Sequence, residues 1–320
     1  MSILSDRHFH DEAAAYRFVE KRVWPEGPVC PHCGGFDRIS AMKGTSTRIG
    51  TYKCYQCRKP FTVKVGTIFE SSHVKLHLWL QAIFLIASSK KGISSNQLHR
   101  TLGVTLKTAW FMSHRIREAM REGGLGPLGG EGQIVEADET YYGKKDGPAP
   151  EVTTSGRPFT KSGKTGPSHK RAILSLVERG GNVRTFHVAH ANKENVTELV
   201  NQNVSRESIL MTDESRLYNE MGKTFAEHHS TKHSAKEYVR YEGDLVIHSN
   251  TVENYFSVFK RGMRGTYQHC AEKHLHRYLA EFDFRYNKRV GRGVNDEARA
   301  GMILDGVVGK RLTYETTSAR

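Results

Sequence analysis

Three acidic side chains stand where metal-dependent phosphoryl transfer would need them. Asp138 follows the apolar run Gln133 to Ala137, and Asp213 follows Ser208 to Met211. Each acid thus falls at the end of a strand-like run, where an open α/β sheet places its ligand site. Taken singly, either is equally well read as a solvated acid or a helix cap. The stretch His248 to Arg261 changes that balance. Thr251 or Asn250 can cap a helix there, and Val252, Phe256 and Phe259 form its buried stripe. Glu253 and Lys260, seven residues apart, lie two turns along one adjoining face, so a carboxylate and a cation share a line that a phosphate backbone could follow. Three carboxylates in one cleft repel one another unless divalent cations neutralise them. Mg²⁺ or Mn²⁺ suits such oxygen donors, and two ions about 3.5–4 Å apart serve in-line displacement at phosphorus. No cysteine or serine nucleophile is required.

A second constellation is built from sulfur. Cys30-Pro-His-Cys33 and Cys54-Tyr-Gln-Cys57 lie about twenty residues apart, the spacing of a four-thiolate zinc site. Four cysteines leave no open coordination position, so the expected zinc is structural rather than catalytic, and His32 faces solvent. Cys270 stands alone. His229 and His233, four apart, suggest another metal pair, but a polar segment beside the active site is the simpler reading.

These side chains need elements to hold them. Asp11 to Trp24 has helical apolar spacing and stops at Pro25. Val29 to Phe69 is punctuated by Gly and Cys, and the alternating Phe61, Val63 and Val65 predict a half-buried strand. Three helices follow: His77 to Ser88, Asn96 to Leu102, opened by Ser94 or Ser95, and Leu106 to Glu122 after Gly103. The last two have helix-turn-helix spacing. The second would present Lys107, Thr108, Trp110, His114, Arg115 and Arg117 to a major groove, with Lys107 and Arg115 as DNA contacts, although two packed core helices would read alike. Gly123 to Gly132 reads as a linker. Strands are expected at Gln133 to Ala137, Ala172 to Val177, Val183 to Val188 and Ser208 to Met211. Helices are expected at Asn195 to Asn201, Thr251 to Arg261 and His274 to Arg289. Gly143 to Arg171, rich in Gly, Pro, Ser, Thr and Lys, is expected to be a mobile basic loop. In the last helix most aromatics belong to the core, while its arginines remain open to phosphates.

The balance of charge names a class of partner. Lys and Arg number 48 against 34 for Asp and Glu, a net +14 over 320 residues, which favours a polyanion, with nucleic acid ahead of an anionic membrane surface. The most apolar window, Leu76 to Ala87, is too short to cross a bilayer, and the first eighteen residues lack the apolar segment of a secretory signal. A cytoplasmic, nucleoid-associated protein is expected. The chain divides into an N-terminal helix (1–28), a zinc ribbon (29–69), a helical DNA-binding region (70–125), a catalytic domain (126–290) and a tail (291–320).

Three segments carry a resemblance: Lys59 to Phe69 (KPFTVKVGTIF), Val135 to Gly143 (VEADETYYG) and Asn250 to Tyr267 (NTVENYFSVFKRGMRGTY). In that order, after the paired cysteines, they resemble bacterial insertion-sequence transposases of the ISXO-like type. These join an N-terminal zinc ribbon to a DDE catalytic domain. The resemblance implies a mixed α/β, RNase H-like catalytic domain with a mixed sheet. It implies Asp138, Asp213 and Glu253 as ligands of two Mg²⁺ or Mn²⁺ ions, with Asn250 competing for the third place. It also implies that Lys260 touches substrate DNA, with Arg261 and Arg264 beside it. The expected activity is hydrolysis and strand transfer at the element's terminal repeats, by at least a dimer on DNA. A DNA-binding regulator, a structure-specific nuclease and a domesticated inactive relative are the alternatives.

Overall fold

The computed structural model describes residues 2–146 and 169–313. Most of the expected mobile loop, 147–168, lies outside the described residues. The chain forms two compact units, Met1–Glu122 together with Lys288–Arg320, and Gly123–Asn287.

In the first unit, α1 (Glu12–Val23) is capped by Asp11, whose carboxylate accepts from Ala14 N–H at 2.6 Å. It ends at Trp24, whose ring meets Tyr52 and Phe61 edge-on. Those residues belong to a three-stranded antiparallel sheet of β1 (Ile39–Ala41), β2 (Tyr52–Cys54) and β3 (Pro60–Phe61). The strand expected across Phe61, Val63 and Val65 ends at Phe61. Val63 is buried by successive tight turns instead, closed by Thr62 C=O to Val65 N–H and Lys64 C=O to Thr67 N–H.

Helices α2 (Leu76–Ser88), α3 (Ser95–Leu102) and α4 (Leu106–Met120) follow. Ser94 caps α3 and Thr105 caps α4, and between them Gly103 takes φ +65°, a conformation costly for a side-chain-bearing residue. No side chain of its own segment caps α2. Glu12 reaches across from α1 to accept from Leu76 N–H (2.8 Å) and His77 N–H (3.2 Å). The tail drawn at 291–320 is not an appendage of the second unit. Asp296–Asp305 is a helix of the first unit, where buried Arg299 donates to Ala87 C=O at 3.0 Å and Lys288 C=O at 2.7 Å. Its buried apolar side chains, Ile303 and Leu304, are confined to the last turn and Arg299 supplies the anchor before them, so periodicity does not reveal the helix.

The second unit is a five-stranded sheet. Its strands are β4 (Ile134–Lys144), β5 (Lys170–Glu178), β6 (Val183–Val188), β7 (Ile209–Asp213) and β8 (Glu227–Thr231), in the order β6-β5-β4-β7-β8. β5 runs antiparallel to both its neighbours, β4 and β6, while β7 and β8 run parallel to β4. This mixed order, with α5 (Lys193–Asn203) crossing between β6 and β7, is that of an RNase H-like fold. One face packs on Val196 and Val200 of α5. The other packs on α7 (Asn250–Gly262) and α8 (Leu275–Asn287), through Val252, Phe256, Phe259, Leu279 and Phe282. A four-residue turn of helix, α6 (Asn219–Gly222), and a small hairpin of β9 (Arg240–Glu242) and β10 (Leu245–Ile247) complete the unit. The expected glycine-rich linker is pinned, because Leu128 is buried and exchanges backbone bonds with Asn203 and Ser205.

Candidate active site

Asp138 does not end its strand. The apolar run ends at Ala137, but β4 continues to Lys144 because its antiparallel partner β5 runs alongside as far as Lys170. Asp138 therefore lies mid-strand, opposite Ser175. Only the parallel side stops early: its last paired residues are Glu136 and Met211. Two residues on, Asp138 comes level with Asp213, across the gap of about 4.8 Å between neighbouring strands. Sheet register alone thus makes neighbours of acids 75 positions apart in sequence.

Glu253 comes from the first turn of α7 and lines a cleft of about 550 Å³ together with Asp138, Glu139, Lys260, Arg261 and Arg264. Asp213 and Glu253 both act electrostatically on Asp138. Burial, followed by the charges of Asp213, Glu139 and Glu253, pushes the Asp138 carboxyl up to about 8, against the hydrogen bond that Glu139 N–H donates to it at 2.8 Å. Lys260 is shifted down by burial and by Arg264, with Asp138 opposing. Asn250 is exposed at the same helix end and is absent from the cleft lining.

Two further groups border the acids. Burial raises Glu139, the Asp213 charge adds to this, and the Tyr218 hydroxyl donated at 2.6 Å opposes it. His233 Nε2 lies 3.5 Å from Glu253 Oε1 and 3.3 Å from Ser249 Oγ, so it attends the acid rather than pairing with His229. His229 sits against Glu227 at 2.9 Å. Spacing could not select Glu139 or His233, because both depend on which strands become neighbours.

The other expected DNA contacts divide. Lys107 is exposed at the start of α4. Arg115 is 5% exposed and donates to Ile68 C=O, Glu70 C=O and Leu312 C=O. It is a structural anchor, and His114 and Arg117 beside it are also buried. These three positions of α4 are therefore closed to a groove. On α8, Arg285 is buried and paired with Glu281, so it too is withdrawn from phosphate.

The sulfur site meets its geometric test. Cys30 and Cys57 Sγ lie 3.6 Å apart and Cys33 and Cys54 Sγ 3.7 Å apart, with all four within 4.8 Å of one another. A tetrahedron with Zn–S of about 2.3 Å has edges of about 3.8 Å. Backbone N–H groups of Cys57 and Gln56 hold the Cys54 thiol down while burial and the neighbouring sulfurs push the Cys33 thiol up, the split expected when clustered thiols share protons with no metal bound. Among the described residues this quartet is the one group of three or more ligating atoms packed so tightly. Asp138 and Glu253 line the cleft, Asp213 is not among its lining residues, and the acids are spread more widely than the cysteine sulfurs. Their chemistry, carboxylate oxygens of half-buried Asp138 and Asp213 with exposed Glu253 at the rim, suits hard divalent ions.

An RNase H-like sheet with an acidic cleft beside its central strand, joined to a four-cysteine ribbon, defines a class of metal-assisted nucleic-acid enzymes. Comparison with known families makes the assignment specific. Residues 127–287 match the ISXO2-like transposase domain and residues 10–60 match the transposase zinc-ribbon domain. The chain belongs to the ISXO2-like transposase family, and its cysteine quartet is the zinc site of that ribbon. A protein of the transposable element ISH50 from Halobacterium salinarum, itself uncharacterised, is 27% identical, covering 87% of this chain and 91% of the relative. Among solved structures, the Mos1 strand transfer complex is 12% identical, covering 70% of this chain and 72% of that one, at a TM-score of 0.26. A pre-cleavage Mos1 transpososome is similarly distant, with 12% identity, coverage of 70% and 73%, and a TM-score of 0.25. Among the described residues no helix is long and apolar enough to cross a membrane.

Proposed function

We propose that this transposase binds the terminal repeats of an insertion sequence, hydrolyses a phosphodiester there to free a 3′-hydroxyl, and joins that end to target DNA. In the first step water adds to phosphorus and the 3′-oxygen leaves with a proton. In the second the freed 3′-hydroxyl attacks a target phosphodiester, and a target 3′-oxygen departs. Asp138, Asp213 and Glu253 would hold two Mg²⁺ or Mn²⁺ ions, which supply Lewis-acid activation of the attacking oxygen and charge relief at the leaving one. Lys260, Arg261 and Arg264 would hold DNA phosphates along the cleft, and exposed Lys107 would contact DNA phosphates on the first unit. Two ends must meet, so the working form is at least a dimer on DNA, in the bacterial cytoplasm.

The observation that carries the reading is the register that brings Asp138 level with Asp213, with Glu253 bordering the same cleft. Glu253 is preferred over Asn250 because it acts electrostatically on Asp138 and lines that cleft. The test is Mg²⁺-dependent nicking of a terminal-repeat duplex by the wild type and by Asp213→Asn. Loss in the variant supports the reading, while equal nicking by both removes Asp213 from the chemistry. Joining of pre-cleaved ends separates a transposase from a nuclease of the same fold.

A further inference from the structure

The helix that carries Glu253 is not capped by its own sequence. Ser249 occupies the N-cap of α7 with no side-chain hydrogen bond to the first turn. The amides there are met by Glu136, a fully buried carboxylate on the central strand. Its Oε2 accepts from Thr251 N–H at 2.8 Å and Val252 N–H at 3.0 Å. Its Oε1 accepts from the Thr251 hydroxyl at 2.8 Å and from Arg179 Nε at 2.7 Å. The same guanidinium donates to Val246 C=O at 2.6 Å and His248 C=O at 2.8 Å, so it also holds the segment leading into the helix.

We propose that Glu136, with Arg179, is a positioning residue for the divalent-cation site: it clamps the start of α7 to β4 and thereby fixes Glu253 against Asp138. The inference rests on the reading of those two acids as metal ligands. Glu136 and Asp138 point to the same face of β4, about 7 Å apart along the strand. Glu253 is the residue after Val252, whose amide Glu136 holds. One carboxylate therefore links both candidate ligands through rigid backbone, and an acid at a helix N-terminus also complements the helix dipole. A glutamine of the same shape fits poorly here. At the Oε2 position its NH₂ would confront the Thr251 and Val252 amides, and at the Oε1 position it would confront the Arg179 guanidinium, where the Thr251 hydroxyl and His248 Nδ1, 3.2 Å from Oε1, are the acceptors.

The test uses the full, zinc-loaded chain with Mn²⁺ alone as probe, free Mn²⁺ being followed by electron paramagnetic resonance. Folding is checked by circular dichroism and zinc content. Glu136→Gln is expected to weaken Mn²⁺ binding by about ten- to a hundredfold, the usual loss when a residue supporting a metal ligand is removed. In a Glu253→Gln background the same change should add almost nothing, because the ligand it positions is already gone. A merely structural role would give effects that multiply. Mn²⁺ affinity within twofold of wild type in Glu136→Gln, or fully multiplicative losses in the double variant, overturns the proposal. If Glu136→Gln does not fold, Thr251→Val removes one bond to the carboxylate and should weaken Mn²⁺ by about tenfold; unchanged affinity there also overturns it. Failure of the underlying reading looks different: Asp138→Asn and Glu253→Gln would themselves bind Mn²⁺ as the wild type does.

Discussion

Asp138→Asn should stabilise this protein at alkaline pH, in the zinc-loaded chain with no added Mg²⁺ or Mn²⁺. Folding moves the Asp138 carboxyl from 3.8 to about 8, with burial as the largest cause. Between those values the folded chain keeps a proton that the unfolded chain has released, so stability falls as pH climbs through the window. At 1.36 kcal/mol for each tenfold change, the full displacement corresponds to about 6 kcal/mol lost above pH 8. Relaxation and water entry reduce such a cost to several kcal/mol in real proteins, and about 2–4 kcal/mol is expected. Asparagine keeps the acceptor for Glu139 N–H and carries no charge. For a unit of this size, each kcal/mol moves Tm by about 2–4 °C, so calorimetry at pH 8.5 should place the variant roughly 5–15 °C above the wild type. At pH 3.5, where both side chains are neutral, the gain should disappear. Added Mn²⁺ should raise the wild-type Tm at pH 8.5 and leave the variant nearly where it was. A variant no more stable than the wild type at pH 8.5, with matched stability at pH 3.5, would refute the claim that burial and neighbouring carboxylates raise Asp138.

Three further outcomes follow from the same structure. Cys54→Ser should abolish the zinc released by a mercurial reagent, and with it the ribbon's protection from protease, because the metal supplies most of the folding energy of so small a module; undiminished zinc content would contradict the site. Arg115→Ala, which strips a buried cation from three carbonyl acceptors, should cost about 3 kcal/mol in denaturant unfolding. A change below about 0.5 kcal/mol would return Arg115 to the surface role its sequence suggests. Lys260→Ala should reduce the slope of log affinity against log salt for DNA by about 1, and an unchanged slope would take its ammonium off the phosphate path.

The sequence made the chemistry-bearing residues legible and their surroundings much less so. The cysteine pairs could be read because a zinc knuckle is set by local spacing. Val183–Val188 could be read because a run of strand length with apolar ends follows the Gly180-Gly181 turn. β4 was cut short at Ala137 because the residues beyond it, Asp138 to Lys144, are polar or aromatic, and only the pairing with β5 makes them a strand. Arg115 and Arg299 mislead in the opposite sense. Each carries a charge that composition assigns to the surface, yet each is buried as a hub for backbone carbonyls. Burial of that kind depends on which carbonyls lack partners elsewhere, and no window of sequence reports it.

The same limit explains why Glu136 escaped notice while its neighbour two residues on did not. Rules for helix starts look for a cap within the adjoining residues, and by that rule Asn250 or Thr251 should close α7. The chain instead caps α2 with Glu12, 64 positions away, and α7 with Glu136, 115 positions away. A local cap fixes only the helix that carries it, whereas a cap borrowed from another element fixes the distance between the two. For α7 that distance separates Asp138 from Glu253. Register in the sheet aligns the two aspartates at no extra cost in side chains, but a helix laid across a sheet can slide and roll. A third ligand delivered by such a helix requires a tether close to the ligand, and a carboxylate buried among donors on the central strand is the shortest one this fold offers.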